Sequence, residues 1–469
     1  MRHFIILFTL LITFNFYANN EFGFDLPENH KLEATYSADL KEKGSIHLLI
    51  TKEKGEKYFY LIPYYISKNG DFKELKTTQL SNIPSIISHH YDHNVFTITS
   101  YNKEKKALTI IDINTSDGSS TLHQEINFPN ITSLFRLDNR TVIINKKNKY
   151  LFVKEIKTIS SNKSYKIDIP KDKLKLYKLI TKENATPINQ NEYVEKGAIS
   201  NRKVYISGSN ITFTYENSII NTTEVMKIDY INESINLKSF GFSNNNKFLN
   251  FNTFIKENKL YTISSNKEDL VINLINLETE KVEKSISLNE NLKDIYSESE
   301  SFLKNAKKGK MKPTLTVNKT KDENLLIRID QVNQTSYQYN HDWWFHHWWF
   351  HQQMMWQQQQ MIQNQQQQMI NSIPNGFGPN PEIYYNINNI IEDIVPIEFV
   401  INQEFEILKN ASNDTKHSNI DKSKYIEPIE KDKDITNISI SFSDTEMKYV
   451  YQNKKDKKVY IKTVDLDNN

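Results

Sequence analysis

The chain has 469 residues, no cysteine, and 59 lysines and arginines against 57 aspartates and glutamates, for a formal net charge of +2 at pH 7. Disulfides and a lipid-bearing N-terminal cysteine are excluded, so folded stability has to come from a buried apolar core, for which the length is ample. The near-balanced charge, with no basic stripe carrying interleaved aromatics, argues against nucleic acid as a partner.

Met1, Arg2 and His3 lead into the apolar run Phe4 to Phe14, and the chain turns polar at Asn19, Asn20 and Glu21. That is the order of a secretory signal peptide, and the run is shorter than the roughly 20 apolar residues a bilayer span requires. Residues 1–18 are expected to be removed after Ala18, with Phe16 departing from the small side chain usual two positions earlier. A buried first helix or an uncleaved anchor is the alternative. No later segment has the length of a span. The expected product is therefore exported and free of a transmembrane anchor after cleavage: periplasmic, cell-surface or secreted in a bacterium. Residues 19–30 read as a linker.

From Lys31 onward the dominant signal is period 2, in short runs rich in Ile, Val, Thr, Tyr and Phe separated by polar clusters. Residues 94–126 and 141–169 parse as consecutive strands, and looser copies lie at 45–79, 203–242 and 314–331. The lysines at 171, 173 and 175 alternate with other residues as on the wet face of a strand. The stretch 259–288 parses as Leu260 to Ser264, Leu270 to Leu277 and Val282 to Leu288, and 448–466 supplies two more strands. Almost nothing reads as helix.

A unit of roughly 40 to 50 residues made of consecutive antiparallel strands, repeated along a chain, is the signature of a β-propeller. One such sheet cannot bury both faces alone, but sheets stacked radially cover one another. The expected fold is all-β, with residues 31–469 forming about seven four-stranded antiparallel blades, six being the alternative count. Residues 32–37 (LEATYS) are the candidate strand for completing the last blade. In these hairpins the chain resembles secreted bacterial propellers of the YVTN and quinoprotein-like kind, although no Trp-Asp pair closes the blades and no S-x-D-x-G box repeats. The alternative fold is a tandem pair of β-sandwiches, which share period 2.

Residues 333–395 interrupt a late blade, between the strands 324–332 (NLLIRIDQV) and 396–403 (PIEFVINQ). If 314–318 (TLTVN) is innermost, the interruption falls between the second and third strands. The propeller resemblance implies that such connections lie on the face where ligands enter. The insertion opens on a five-residue repeat that spaces His341, His346 and His351 evenly and pairs Trp343 with Trp344 and Trp348 with Trp349, followed by Phe345 and Phe350. Neither helix nor strand gathers residues five apart on one face, so this is not core patterning. On either side of Trp356, the pairs Met354–Met355, Met361–Ile362 and Met369–Ile370 form a narrow apolar stripe on a glutamine-coated segment. Four readings stay open: a tolerated low-complexity expansion; a contact surface for protein, glycan or membrane built on Trp343, Trp344, Phe345, Trp348, Trp349, Phe350 and Trp356; zinc or copper binding through His341, His346, His347 and His351; and self-association through the Gln-rich half.

A second histidine group, SHHYDHN at 88–94, is expected in a turn between strands, where His89, His90, Asp92 and His93 offer three imidazoles and a carboxylate as metal ligands. Ordinary surface polarity is the competing reading, because adjacent residues rarely converge on one ion. G-x-S-x-G, P-loop, H-E-x-x-H and G-x-G-x-x-G motifs are absent from the sequence. Two functions follow as expectations: a non-enzymatic exported scaffold that presents loops to a surface partner or polymer, or a propeller hydrolase or lyase acting on an extracellular substrate. Export is checked by N-terminal sequencing of protein recovered from cells. A mature start near Asn19 is expected, and a full-length cytoplasmic product starting at Met1 refutes it.

Overall fold

The computed structural model describes residues 21–466 apart from 103, 123–124, 183–184, 191–192, 195–199, 242–249, 266–268, 288–289, 292–301, 303, 305–310, 334–395, 418–419 and 421. The strands of the described residues pair into seven sheets, six of them built from strands that follow one another along the chain and the seventh joining three such strands to Glu21–Phe24. They are blade 1 (30–80), blade 2 (86–127), blade 3 (133–168), blade 4 (186–241), blade 5 (250–287), blade 6 (311–408) and blade 7 (435–465, joined by 21–24). This is a seven-bladed β-propeller. Seven separate sheets in sequence order cannot be sorted into two sandwiches.

Blades 1 and 2 complete their fourth position with two short strands each, and blade 4 adds a strand, Thr186–Ile188, parallel to Arg202–Ser207. Apolar clusters run between neighbours, from blades 7 and 1 through 1 and 2, 2 and 3, and 3 and 4 to the cluster shared by blades 4, 5 and 6. The strand Gly44–Glu53 shows how this shapes sequence. Ile46, Leu48 and Ile50 face the blade 2 side while Leu49 faces blade 7, so eight successive residues are buried. A strand covered on both faces needs no polar alternation.

The closing strand differs from expectation. Residues 32–37 belong to the first strand of blade 1, His30–Asp39, and the C-terminal end supplies three strands of blade 7, not two: Ile435–Phe442, Glu446–Asn453 and Val459–Asp465. The fourth is Glu21–Phe24, within the stretch read as a linker, antiparallel to Val459–Asp465 with Glu21 opposite Lys462 and Phe24 opposite Val459. Its side chains act on two blades. Phe22 stacks on Phe72 at 5.8 Å, and Phe24 lies 4.7 Å from the ring of Tyr64, so a strand paired into blade 7 packs against blade 1. Glu21 accepts a hydrogen bond from the Tyr451 hydroxyl at 2.8 Å. Gly23 sits under Tyr460, where a Cβ would come within 2.5 Å of the ring.

Short helices also interrupt the strands. The lysines expected on a strand face instead precede or enter helix α1, Leu174–Ile180, where Tyr177 and Ile180, three apart, turn into the core of blades 3 and 4. Helix α2, Lys422–Lys431, places Ile429 against blade 7.

The closing strand generates a prediction. Replacing Phe22 and Phe24 by serine should lower the unfolding free energy by about 2 kcal/mol, read as a lower Tm. Limited proteolysis should release no stable half-sized fragment, because a blade removed from the ring leaves its neighbours uncovered. Two independently folded fragments would contradict the closed ring.

Candidate functional site

Strand order fixes two faces. Turns from first to second and from third to fourth strands lie on one; connections from second to third strands, and from each blade to the next, lie on the other. The insertion joins the second strand of blade 6, Leu325–Asn333, to the third, Ile397–Ile401, which pair directly. It therefore leaves from the face of the second-to-third connections, as expected. At its root Arg328 holds Asp330 at 3.0 Å and Glu398 at 3.1 Å, tying the two strands together.

On that side the first strands of three blades converge on one carboxylate. Lys203 and Tyr205 point from Arg202–Ser207 towards blade 5, while Val204 and Ile206 join the core with blade 3. Lys203 is fully buried, donating to Glu216 Oε1 at 2.5 Å and to the Thr253 carbonyl at 2.8 Å. The same oxygen of Glu216 accepts from Asn252 Nδ2 (3.1 Å), the Thr253 amide (2.9 Å) and Thr253 Oγ1 (3.1 Å). Its second oxygen receives Lys312 Nζ of blade 6 at 2.8 Å, and Lys312 also reaches Asn201 at 2.6 Å. Asn252 in turn accepts the amide of Leu315 at 3.0 Å. Burial pushes the Lys203 ammonium down to about 8 despite the adjacent Glu216. Burial would raise Glu216, but Lys203 and Lys312 hold it below the ordinary glutamate range.

The opposite side carries neutral imidazoles. His47 is buried between Ser37 (Nδ1, 2.9 Å) and Ser45 (Nε2, 3.0 Å), and Ser37 continues to Ser439 Oγ of blade 7 at 2.7 Å. Burial pushes His47 down to about 3. Its partners are hydroxyls that serve as donor or acceptor, which suits an uncharged ring.

His89 and His90 lie not in a turn but in the first strand of blade 2, Ile86–Asp92, and successive strand residues point to opposite faces. His89 Nδ1 meets the Tyr36 hydroxyl of blade 1 at 2.6 Å, with Arg136 of blade 3 at 3.5 Å from Nε2. His90 turns the other way, to Thr141 Oγ1 (3.2 Å) and the Lys157 carbonyl (2.6 Å) of blade 3. Burial holds both below the ordinary histidine range. The turn proper holds His93, exposed, with its Nδ1 2.9 Å from Asp92. The fold thus brings Asp92 and His93 together and separates His89 from His90. Among the described residues no group of three or more His, Cys, Asp or Glu is placed to hold a metal ion. His341, His346, His347, His351, Trp343, Trp344, Phe345, Trp348, Trp349, Phe350 and Trp356 lie outside the described residues, as do residues 1–18. No described helix is long and apolar enough to cross a membrane.

Sequence reasoning missed Lys203, Glu216, Lys312 and His47. By period 2 a lysine in RKVYIS belongs on a wet face. Only the doubly covered first strand makes it interior, and one sequence carries no mark of which strand is first.

No family model and no curated protein matches the chain. Among solved structures it is similar to an apocarotenoid oxygenase mutant from Synechocystis (9% identity, 56% of this chain, 63% of that one, TM-score 0.26) and a putative dipeptidyl aminopeptidase IV from Bacteroides ovatus (11%, 66% and 48%, TM-score 0.29). A third is the dihydro-heme d1 dehydrogenase NirN (10%, 66% and 64%, TM-score 0.28). The chain spans less than two thirds of the length of each. At these TM-scores the likeness carries no argument, and the fold rests on the strand pairing above.

The junction generates a prediction with a definite sign. Between the glutamate's folded pKa and its ordinary 4.5 the unfolded chain binds more protons, so stability falls as pH falls through that interval. Glu216→Gln should cost about 3–5 kcal/mol at neutral pH by leaving Lys203 buried without its counter-charge, and should flatten that acid arm. Denaturant unfolding at neutral pH and below pH 4.5 measures both.

Proposed function

We propose that the chain is an exported, non-enzymatic propeller that presents the connections on its insertion face to a surface partner or polymer. One observation carries the reading. Four titratable groups with displaced pKa values at the blade junctions, Lys203, Glu216, His47 and His89, are buried and tied to neighbouring blades, directly for Lys203, Glu216 and His89 and through the Ser37–Ser439 pair for His47, so these four hold the ring together and offer no reacting atom to a substrate. A catalytic acid or base has to come within hydrogen-bond reach of its substrate. The resemblance of the hairpins to secreted YVTN and quinoprotein-like propellers supports export, as does the signal-peptide order of residues 1–18.

The contact residues on this reading are Trp343, Trp344, Phe345, Trp348, Trp349, Phe350 and Trp356, since exposed aromatic clusters on an exported protein are favoured where they have a surface to meet. The test compares the intact protein with a variant in which residues 338–380 are replaced by a short Gly/Ser linker, measuring Tm and association with the cell-envelope fraction. The expected result is an unchanged Tm, because closure entropy varies slowly with loop length, together with loss of envelope association. Retained association would reduce the insertion to a tolerated expansion. Turnover of an envelope polymer by the purified protein would replace the scaffold reading with a hydrolase or lyase.

A further inference from the structure

The two faces carry opposite charge, which a net of +2 conceals. On the insertion face three second-to-third connections carry more lysine than acid, KKDKK at 454–458 in blade 7, EKK at 104–106 in blade 2 and KKNK at 146–149 in blade 3, while EKGEK at 53–57 in blade 1 balances two lysines with two glutamates. The opposite face shows LETEK at 277–281, KDE at 321–323, QEFE at 403–406 and Asp444. Several of the lysines have acidic neighbours, Lys455 with Asp434 at 2.6 Å and Lys458 with Asp25 at 3.4 Å among them. Such solvent-facing pairs are weak and exchange readily for another anion.

The same face carries apolar tips. Blade 4 joins its second and third strands through Ser218 to Asn221, and there Ile219 is 90% exposed and Ile220 60% exposed. Tyr58, in the corresponding connection of blade 1, is 48% exposed. A soluble polyanion would satisfy the lysines and leave the isoleucines in water. A bilayer with anionic headgroups takes both, with ammonium groups at the phosphates and apolar tips at the acyl boundary.

We propose that the insertion face docks on an anionic lipid surface, with the lysines of blades 7, 2 and 3 supplying attraction and the Ile219–Ile220 tip supplying insertion. The proposal rests on the binding reading above and names its surface.

The experiment sediments the full chain with vesicles of phosphatidylcholine alone and of phosphatidylcholine mixed with phosphatidylglycerol, at low and high salt. Binding is expected to the mixed vesicles only and to weaken with salt. The triple variant K454Q/K455Q/K457Q should reduce partitioning at least about tenfold. The double variant I219S/I220S should reduce it several-fold and leave the salt dependence in place. All replaced side chains are solvent-facing, so circular dichroism melts should match the intact protein and exclude misfolding as a cause. Equal binding to both vesicle types, no binding, or full binding by I219S/I220S overturns the proposal. Capture by immobilised heparin without vesicle binding also overturns it, in favour of a soluble polyanion. Envelope association that persists while vesicles are ignored leaves the scaffold reading standing and removes only the lipid.

Discussion

Every blade has two faces to bury and no means of burying them by itself. That constraint orders the molecule. It places apolar residues on both sides of strands such as Gly44–Glu53, makes each blade's stability conditional on its neighbours, and requires that the last sheet meet the first. The meeting is made through hydrogen bonds as well as packing: Thr35 donates to the Asn437 carbonyl at 2.8 Å, and Ser37 pairs with Ser439. The Glu21–Phe24 strand then seals the joint by pairing into one blade while stacking its phenylalanines on the next.

Polar groups at the centre obey the same constraint. First strands crowd together where side chains meet little solvent, so buried polar atoms there need partners, and several of those partners come from another blade. Hydroxyls and neutral imidazoles meet this need around His47 and His90, and the Lys203–Glu216–Lys312 junction meets it with charge. A junction of this sort contributes little net stability compared with apolar packing, yet it tolerates one arrangement of three blades far better than any other.

Much of the fold was legible in the sequence, and what was not has a physical pattern. The parse of 259–288 falls within a residue or two of the observed Lys259–Ser265, Leu270–Asn276 and Val282–Ser287, because polar turns bound the three strands clearly. First strands were harder. Ile86–Asp92 reads IISHHYD, with its polar residues satisfied across blade junctions, and so resembles a turn. The stretch 171–175 alternates like a strand, but Tyr177 and Ile180 find the core only as a helix. The junction at Glu216 was illegible for the same reason, since its members lie on three blades and up to 111 positions apart.

The sealing strand also governs when the ring can exist. Glu21 and Tyr451, joined by a hydrogen bond, are 430 positions apart, so the strand Glu21–Phe24 is made long before its pairing edge, Val459–Asp465, appears. Until then Glu21–Phe24 lacks the strand it pairs with and the blade 7 side of blade 1, with Leu32, Leu49 and Ile62, is uncovered, an open strand edge and a bare apolar face of the kinds that favour aggregation. Closure of this ring is accordingly a late event in synthesis, slowed by the contact order of its own clasp.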